Sequence, residues 1–432
     1  MKMIYEFMYN RLTLCKRFFK EIWLGIIESF IEQGANIYIY FYLIILFILF
    51  GIVFYIKWRF PFWNTMPMFH TYDYLRYLSY KPDIIQKLPR KTGYCNTELV
   101  KTYSYDLVDL STKKTMMDLM KKYYLTTDQT FNTHTIEDID TIMTGQIQPS
   151  YLSFYYQQLF DLSANLILLP IGCITSHALN LYLGGSVSYP LYYLDFLSIS
   201  LNTRPSLNEK KILIQSHLYN QRIQNPFVKM GLFKKEGESI RGLVPFVKYK
   251  TYFYSLPTKI KTIRLEKHTI LLKIYNENID CLREFLEKEK KFEICILGDL
   301  PHLMGLIKRG LLHIYVLKRR NVIMGIYFFK QEMVEWENGE SSIQLIACCC
   351  WSVEGESFYR GFLFAIKDLL REDSQRRILK IDDISDNSII LMRWALTNRS
   401  FMENENNYYF YNFFYPYQEP IRRKQNCLIL DI

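Results

Sequence analysis

An uninterrupted run of twenty uncharged residues constrains this chain more than any other feature. The run begins at Ile37, ends at Ile56 and consists mostly of Ile, Leu, Phe and Tyr. At about 1.5 Å per residue, a helix of this length spans the roughly 30 Å hydrocarbon core of a bilayer. A buried helix in a soluble core is the alternative, but continuous apolar runs longer than about 18 residues seldom form soluble helices. The sequence therefore predicts a transmembrane helix at residues 37–56, retained as an anchor because it starts too far into the chain for a cleaved signal peptide.

The charges around this run predict its orientation. Lys57 and Arg59 follow it directly, whereas the nearest base before it is Lys20. Because the cytoplasmic ends of transmembrane helices carry the excess of Lys and Arg, we expect the larger C-terminal part to face the cytosol. Residues 1–35 are expected to contain an amphipathic helix on the bilayer surface. Its apolar residues, at three- and four-residue steps, are Phe19, Ile22, Trp23, Ile26 and Phe30.

Charge and cysteine content limit the classes of partner. The chain has 432 residues and a net charge of +10, which suits an anionic partner such as the phosphates of CoA or of lipid headgroups. It has no long Lys/Arg block and no nucleic-acid-binding motif, so nucleic acid is not expected as a partner. The nine cysteines have no regular spacing, which indicates reduced core residues. Three of them, at positions 348–350, are adjacent on a predicted strand, which is poor geometry for zinc, so no metal site is expected.

Proline and glycine separate an arm from two folded halves. Residues 60–103 are interrupted by four prolines and one glycine, which predicts an extended arm outside the domain core. Residues 104–262 and 263–432 each alternate strand-like and helix-like segments in a similar order, which predicts two α/β halves. In the first half, a strand at about 191–201 leads into a helix that starts at a proline. A helix N-terminus that directly follows a strand favours anion binding.

Two short strings far apart in the chain resemble one enzyme family. Phe-Trp-Asn-Thr-Met-Pro stands at positions 62–67 and Tyr-Tyr-Phe-Tyr-Asn at positions 408–412. In this order and at this separation they resemble the N-myristoyltransferase family, whose members carry Phe-Trp-x-Thr-Gln-Pro and Tyr-Tyr-Leu-Tyr-Asn. The resemblance spans residues 60–432. It implies an α/β fold of two acetyltransferase-like (GNAT-like) halves related by pseudo-two-fold symmetry, here preceded by one transmembrane helix.

The resemblance implies an acyl-CoA site in the first half. The family holds acyl-CoA with its Phe-Trp segment, although an aromatic pair just after a transmembrane helix also fits an interfacial aromatic belt. The family binds the CoA phosphates with a basic stretch after the strand, where only one arginine of this chain stays in register and two lysines come a turn later. Myristoyl-CoA is expected as a co-substrate, with no permanently bound cofactor. The residues expected to contact it are Phe62, Trp63, Asn64, Thr65, Arg204, Lys210 and Lys211.

The resemblance also implies how the chain would catalyse acyl transfer. Residues 195–199 resemble the family's Asn-Phe-Leu-Cys-Val, whose Phe and Leu amides form the oxyanion hole, so the amides of Phe196 and Leu197 are the expected donors. In the family, the free C-terminal carboxylate lies in the core and accepts the proton of the attacking ammonium. This chain ends in an apolar tail, so a carboxylate of Asp431 or Ile432 is the expected base. A tail that only packs as an edge strand is the alternative.

The chain departs most from the family at the acceptor site. The glycine-rich loop that contacts the acceptor in the family has no counterpart here, because residues 399–405 contain no glycine. Acceptor choice is therefore expected to differ or to be lost. By resemblance, the residues expected to bind the acceptor are Asn180, Cys348, Asp383, Asn387 and Tyr408.

These observations lead to one expected function and two alternatives. We expect a single-pass membrane enzyme that transfers the myristoyl group of myristoyl-CoA to the N-terminal glycine amine of proteins or peptides. The first alternative is a catalytically inactive module that binds acyl-CoA or N-terminal peptides, because the glycine loop is missing and the phosphate site has fewer bases. The second is an acyltransferase of the GNAT fold that acts on another amine.

Overall fold

The computed structural model divides the chain into two compact units, residues 1–61 and residues 62–432. Each unit is described by itself. The structure describes residues 20–25, 37–124, 130–160, 166–184, 187–200, 207–257, 264–288, 291–336, 338–351 and 355–432.

In the first unit, the apolar run forms helix α1 (Ile37–Arg59), three residues longer than predicted. Among the described residues, one helix, Ile39–Arg59, has the length and the apolar composition needed to cross a membrane. Residues 20–25 are also helical. The rest of the predicted amphipathic segment lies outside the described residues.

The predicted arm is more ordered than an extended segment. It begins with the short helix α2 (Pro61–Thr65), and proline is favoured at the first position of a helix because its missing N–H is not needed there. Phe62, Met66 and Met68 are buried, so the arm packs against the core. The arm also contains α3 (Tyr74–Tyr77), β1 (Asp83–Ile84) and β2 (Val100–Ser104).

The first half of the sheet consists of antiparallel strands followed by a helix and a parallel strand. β6 pairs antiparallel with β5 and parallel with β7, with helix α6 between β6 and β7 in the chain. The elements are α4 (Leu110–Tyr123), β3 (Thr130–Asn132), α5 (Ile136–Met143), β4 (Tyr151–Phe160), β5 (Leu166–Leu183), β6 (Val187–Ile199), α6 (Leu207–Gln224), β7 (Met230–Glu236) and β8 (Val247–Ser255).

The second half repeats this order. Three antiparallel strands, β11, β12 and β13, precede helix α9, and the strand after that helix, β14, pairs parallel with β13. The elements are β9 (Thr269–Lys273), α7 (Asp280–Lys288), β10 (Ile294–Leu297), α8 (Leu300–Arg309), β11 (Leu312–Arg319), β12 (Val322–Trp336), β13 (Ser341–Cys350), α9 (Gly355–Glu372), β14 (Arg376–Asp382), α10 (Asn387–Trp394), β15 (Met402–Tyr411), β16 (Phe413–Phe414), α11 (Pro420–Arg423) and β17 (Cys427–Ile429).

The two halves exchange one strand each at the centre of the sheet. β8 leaves the first half and pairs with β14, while β15 leaves the second half and pairs with β7. β8 and β15 pair antiparallel with each other, so the central order is β7-β15-β8-β14. Exchanging β7 with β14 and β8 with β15 reproduces this order, as pseudo-two-fold symmetry requires. The predicted α/β fold of two related halves is confirmed.

The sheet opens where the parallel strands β6 and β7 separate. Their pairing ends at Leu194 and Phe233. Directly afterwards, Phe196 and Leu197 of β6 together oppose Ile174 of β5, which is a β-bulge. Separating strands expose main-chain groups and leave space between them, and the cavity described below lies there.

Candidate functional site

A cavity of about 640 Å³ lies where β6 and β7 separate. The first half contributes the end of β6 and the cavity-facing side of β7, and the second half contributes the polar part of β12. The C-terminal tail forms part of the wall. Lining residues that bear on the chemistry are Trp63, Asp195, Phe196, Leu197, Phe233, Lys234, Lys330, Glu332, Trp336, Lys380, Asp431 and Ile432.

The expected oxyanion donors lie at this cavity, but one of them already has an acceptor. Phe196 has a positive φ of 52°, so the bulge turns its amide out of the regular ladder. That amide donates to Oδ1 of Asp195 at 2.7 Å, and the hydroxyl of Tyr124 donates to the same oxygen at 2.7 Å. Because the amide of Phe196 already donates to the carboxylate of Asp195, it is not free to donate to an oxyanion. The expectation that this amide serves unchanged beside Asp195 needs correction.

The C-terminal tail ends inside the molecule. β17 pairs parallel with β10, and the amide of Leu430 continues the pattern by donating to the carbonyl of Ile296 at 2.8 Å. Asp431 and Ile432 are both only 4% exposed, and both line the cavity. The two residues expected to supply a tail carboxylate, Asp431 and Ile432, thus belong to its wall.

Asp431 is surrounded by cations and hydroxyl donors. Tyr193 donates to its Oδ2 at 3.1 Å, and Nζ of Lys234 lies 3.7 Å from the same oxygen. Lys330 donates to the main-chain carbonyl of Asp431 at 2.8 Å. Burial raises the pKa of Asp431, but Lys234, Lys330 and the hydroxyls of Tyr408 and Tyr193 outweigh burial and lower it below its usual value. A carboxylate stabilised in this way is ionised but is a weak base.

Lys234 was not among the residues singled out from the sequence. It follows Phe233 at the point where β7 leaves β6, and its side chain is largely buried. Burial lowers the pKa of Lys234, but Tyr249, Asp431 and Asp382 outweigh this and raise it well above its usual value. Lys234 is therefore a fixed cation beside the tail. The only signal in the sequence was a lysine directly after the apolar start of the strand, with Lys235 and Glu236 following it.

A second polar group lies on the wall made by the second half. Lys380 forms an ion pair with Glu332, which also accepts from Ser342 at 2.9 Å. Behind it, buried Asp382 accepts two bonds from Nε2 of Gln344, each of 2.9 Å. Burial raises the pKa of Asp382 to about 6, against the opposing effects of Lys234, Thr251 and Gln344. Charged residues inside β12 and β14 were the sequence signal for this group.

The two aromatic residues at the start of the arm lie in different places: Trp63 lines the cavity and Phe62 is buried in the core. Trp63 lines the cavity and stacks on Phe233, with ring centroids 6.0 Å apart, and Phe233 stacks on Tyr409 at 5.3 Å. Phe62 is buried beneath, 5.2 Å from the ring of Tyr94. The two strings found in the sequence therefore meet through stacked rings.

Other residues expected to hold acyl-CoA lie away from the cavity wall. Asn64 accepts a bond from the hydroxyl of Tyr72, and Thr65 donates to the carbonyl of Phe62 at 2.8 Å, so both stabilise the turn of α2. Nζ of Lys211 lies 6.0 Å from the ring of Phe62, where a cation–π contact fixes it beside the arm. Lys210 is half-buried on α6, and Arg204 lies outside the described residues.

Most residues expected to bind the acceptor stabilise the fold instead. Asn180 donates to Asp299 at 2.8 Å, and Asp383 pairs with Lys424. Asn387 donates to the carbonyl of Asp382 at 2.8 Å and to that of Leu345 at 3.2 Å, which fixes the start of α10. These three side chains do not line the cavity. Tyr408 is buried behind the wall, where its hydroxyl helps to lower the pKa of Asp431.

Cys348 faces away from the cavity, against expectation. Regular alternation from Gln344, which lines the cavity, would bring Cys348 to the same face. However, the pairing of β13 with β12 shifts register between Phe328 and Phe329. The extra residue of this bulge turns Cys348 into the core that packs under α9. A one-residue shift cannot be read from the alternation of a single strand.

Comparison with known proteins gives one kind of match. No protein-family model matches the sequence, and no curated protein sequence matches it. Among solved structures, N-myristoyltransferase of Saccharomyces cerevisiae with bound myristoyl-CoA is similar, with a TM-score of 0.63 and 13% identity over 86% of this chain and 99% of that one. A second structure of that enzyme with myristoyl-CoA gives a TM-score of 0.64 at 13% identity, over 86% of this chain and 94% of that one.

The likeness identifies the fold. The chain has the two-half α/β fold seen in N-myristoyltransferase of Saccharomyces cerevisiae, and the similarity extends over nearly the whole of that enzyme.

Proposed function

We propose that this protein is an acyltransferase that moves the myristoyl group of myristoyl-CoA to the N-terminal glycine amine of proteins or peptides. The observation that carries the proposal is the position of the C-terminus. Ile432 and Asp431 line the same cavity as the bulge at Phe196 and Leu197. A proton acceptor and main-chain donors on one cavity are what aminolysis of a thioester requires. The similar enzyme of Saccharomyces cerevisiae was solved with bound myristoyl-CoA.

The reaction proceeds by attack of an amine on the thioester carbonyl. A tail carboxylate takes one proton from the glycine ammonium, and the free amine forms a C–N bond to the thioester carbon. The C–S bond then breaks, and the leaving thiolate of CoA takes the second proton of the amine. The developing oxyanion requires donors at the bulge, where the amide of Leu197 is the candidate donor and the amide of Phe196 would first have to leave Asp195.

Within this reaction we assign the proton to the α-carboxylate of Ile432. Asp431 already accepts from Tyr193 and lies 3.7 Å from the ammonium of Lys234, and its pKa is lowered despite burial, so Asp431 is already engaged as an ion-pair partner. Asp431 then serves to hold Lys234 and the tail in position. Trp63 and the apolar part of the wall provide a surface for the acyl chain.

We further propose that α1 anchors the protein as a single-pass membrane protein with residues 62–432 on the cytosolic side. The support is the apolar composition of α1 and the two bases, Lys57 and Arg59, in its last turn. An N-terminal glycine amine is produced on cytosolic proteins, so this orientation is the one that the proposed acceptor requires.

One observation favours the non-catalytic alternative. Lys234 places a fixed cation beside the tail, and Asp195 engages the amide of Phe196, so both catalytic features are occupied by the protein's own groups. A module that binds acyl-CoA or a peptide N-terminus on this fold would tolerate both.

One assay separates the candidate functions. Full-length protein in detergent would be incubated with myristoyl-CoA and a glycine-started peptide, beside the same peptide with alanine first, and the products read by mass spectrometry. Transfer to the glycine peptide alone supports the proposal. Binding of acyl-CoA by calorimetry without product supports the module, and transfer to both peptides or to a free lysine supports an acyltransferase with another amine as acceptor.

A further inference from the structure

We propose that a two-stranded apolar ribbon inserts into the interfacial layer of a lipid bilayer. The ribbon consists of residues 157–160 of β4 and 166–169 of β5, paired from Gln157 opposite Leu169 to Phe160 opposite Leu166. β2 pairs with β4 only as far as Tyr155, and β6 pairs with β5 only from Gly172 onward. Among the described strands, the ribbon therefore extends beyond the sheet with neither edge paired.

Both faces of the ribbon expose apolar side chains, although β4 also contributes the polar Gln157 and Gln158. Leu166, Ile167, Leu168 and Leu169 follow one another, and their exposed fractions lie between 36% and 52%. Successive residues of a strand point to opposite faces, so each face carries two of these side chains. Leu159, 40% exposed, shares a face with its partner Ile167. Water is a poor environment for such a ribbon, because an isolated two-stranded hairpin is marginally stable even without exposed apolar faces.

The exposure of both faces favours a bilayer over a protein partner. A protein groove covers one face of a ribbon and leaves the other in water, whereas a bilayer surrounds whatever enters it. At the ribbon's base, Nζ of Lys101 lies 5.4 Å from the ring of Tyr156, whose hydroxyl is 3.4 Å from that of Tyr103. Tyrosines and lysines at the base of an apolar segment are typical of the headgroup layer.

The unpaired edges limit how deep the ribbon can go. Main-chain groups without partners are not tolerated in the hydrocarbon core, whereas headgroups and water satisfy them in the interfacial layer. We therefore place the ribbon in that layer, at the depth of about 5–10 Å that interfacial segments reach. The proposal does not depend on acyl transfer.

The test is photolabelling from within the bilayer. Full-length protein would be reconstituted in vesicles of phosphatidylcholine and phosphatidylserine that contain a lipid with a diazirine in its acyl chain. Adducts would be mapped by mass spectrometry. The internal control is the peptide around Met392 and Leu396, which are exposed by 67% and 83% but belong to a different surface. We expect labelling of residues 166–169 to exceed that of the control by about tenfold, as for a segment buried among acyl chains.

Two variants make the test specific. Ile167→Asn with Leu168→Asn alters one residue on each face and should reduce ribbon labelling to the control value, while Met392→Asn should leave it unchanged. Equal thermal unfolding midpoints would show that both variants are folded. Ribbon labelling no higher than the control, or crosslinks from the ribbon to a second protein copy in place of lipid, would overturn the proposal. The labelling does not require activity, so an inactive protein tests it equally well.

Discussion

The main-chain N–H of Asn412 donates a hydrogen bond to the carbonyl of Pro67 at 2.7 Å. This bond joins the two strings, residues 62–67 and 408–412, that resemble the N-myristoyltransferase family. The side chain of Asn412 extends this junction. Its Oδ1 accepts from the amide of Gln86 at 2.7 Å, and its Nδ2 donates to the carbonyls of Gln86 and Lys229, each at 2.9 Å. One buried asparagine thus holds the arm, β7 and the end of β15 together.

Asn412→Ala should destabilise the protein strongly. It removes three hydrogen bonds from a fully buried position, leaves main-chain groups without partners, and places alanine at a φ of 57°, a conformation that asparagine tolerates better. We expect a loss of roughly 3 kcal/mol in the free energy of unfolding, measured by urea titration. Asn407→Ala, which removes bonds to Gly237 and Ser239, serves as a buried-asparagine control elsewhere on β15. An Asn412 variant as stable as the wild type would show that the junction contributes nothing.

Asp195→Asn should increase turnover of the proposed reaction. The substitution keeps an acceptor for Tyr124 and for the amide of Phe196 but removes a negative charge next to the site where an oxyanion would form. We expect kcat to rise by about tenfold, since charge at an oxyanion hole acts in a low-dielectric site. Asp383→Asn, which affects only the pair with Lys424, is the matched control. A fall in kcat with Asp195→Asn would indicate that Asp195 itself takes part in the chemistry.

The two carboxylates of the tail should differ in importance. A short tag after Ile432 removes its α-carboxylate from the cavity and should reduce kcat at least about 100-fold, the lower range for losing a general base. Asp431→Asn keeps the α-carboxylate and should retain most activity. Acyl-CoA affinity, measured by calorimetry, should change little in both. Full activity of the tagged protein would exclude the α-carboxylate as the base.

Trp63→Ala should weaken the binding of myristoyl-CoA. Trp63 is the aromatic residue of the arm that lines the cavity, and removal of a stacked aromatic costs about 1–3 kcal/mol of binding free energy. Trp351→Ala is a suitable control, because Trp351 packs on Phe285 and does not line the cavity. If calorimetry gives the Trp63 variant and the wild type the same affinity for myristoyl-CoA, the interpretation of the aromatic pair as an interfacial aromatic belt is favoured instead.

Acid should destabilise the protein below about pH 6.5. Burial lowers the pKa values of His177, His217, His302 and His313 from 6.5 to about 3. The unfolded chain therefore binds more protons than the folded one between pH 6.5 and 3, and stability falls as the pH falls through this window. Asp382 acts in the opposite direction between pH 3.8 and about 6, because burial raises its pKa and so favours the protonated folded state. Burial also raises the pKa of Glu209, so these two carboxyl groups oppose the four histidines.

The measurement is the thermal unfolding midpoint as a function of pH. His217→Gln, with Ser153 and Ser176 still available as partners, should reduce the slope between pH 6.5 and 4. His268→Gln, on an exposed turn, should leave the slope unchanged. A midpoint that stays constant from pH 7 to pH 4 would contradict the burial of neutral imidazoles.

Features set by local sequence were predictable. The helix Ile37–Arg59 follows from a run without charges. The order of strands and helices in the two halves also follows from periodicity, whereas the buried C-terminal tail was expected from the family resemblance. The helix and this order depend on neighbouring residues, so one sequence suffices to infer them.

The arrangement of the site required the tertiary structure. A bulge turned Cys348 into the core, Asn387 became a turn-stabilising residue, and Asp195 closed on the amide of Phe196. Lys234 entered the site only because β7 separates from β6 beside the tail. Strand register, bulges and ion pairs between distant segments are fixed by packing across the whole sheet, and a shift of one residue reverses which side chains face the cavity. The sequence therefore determined the elements and their order, whereas long-range packing decided which side chains meet.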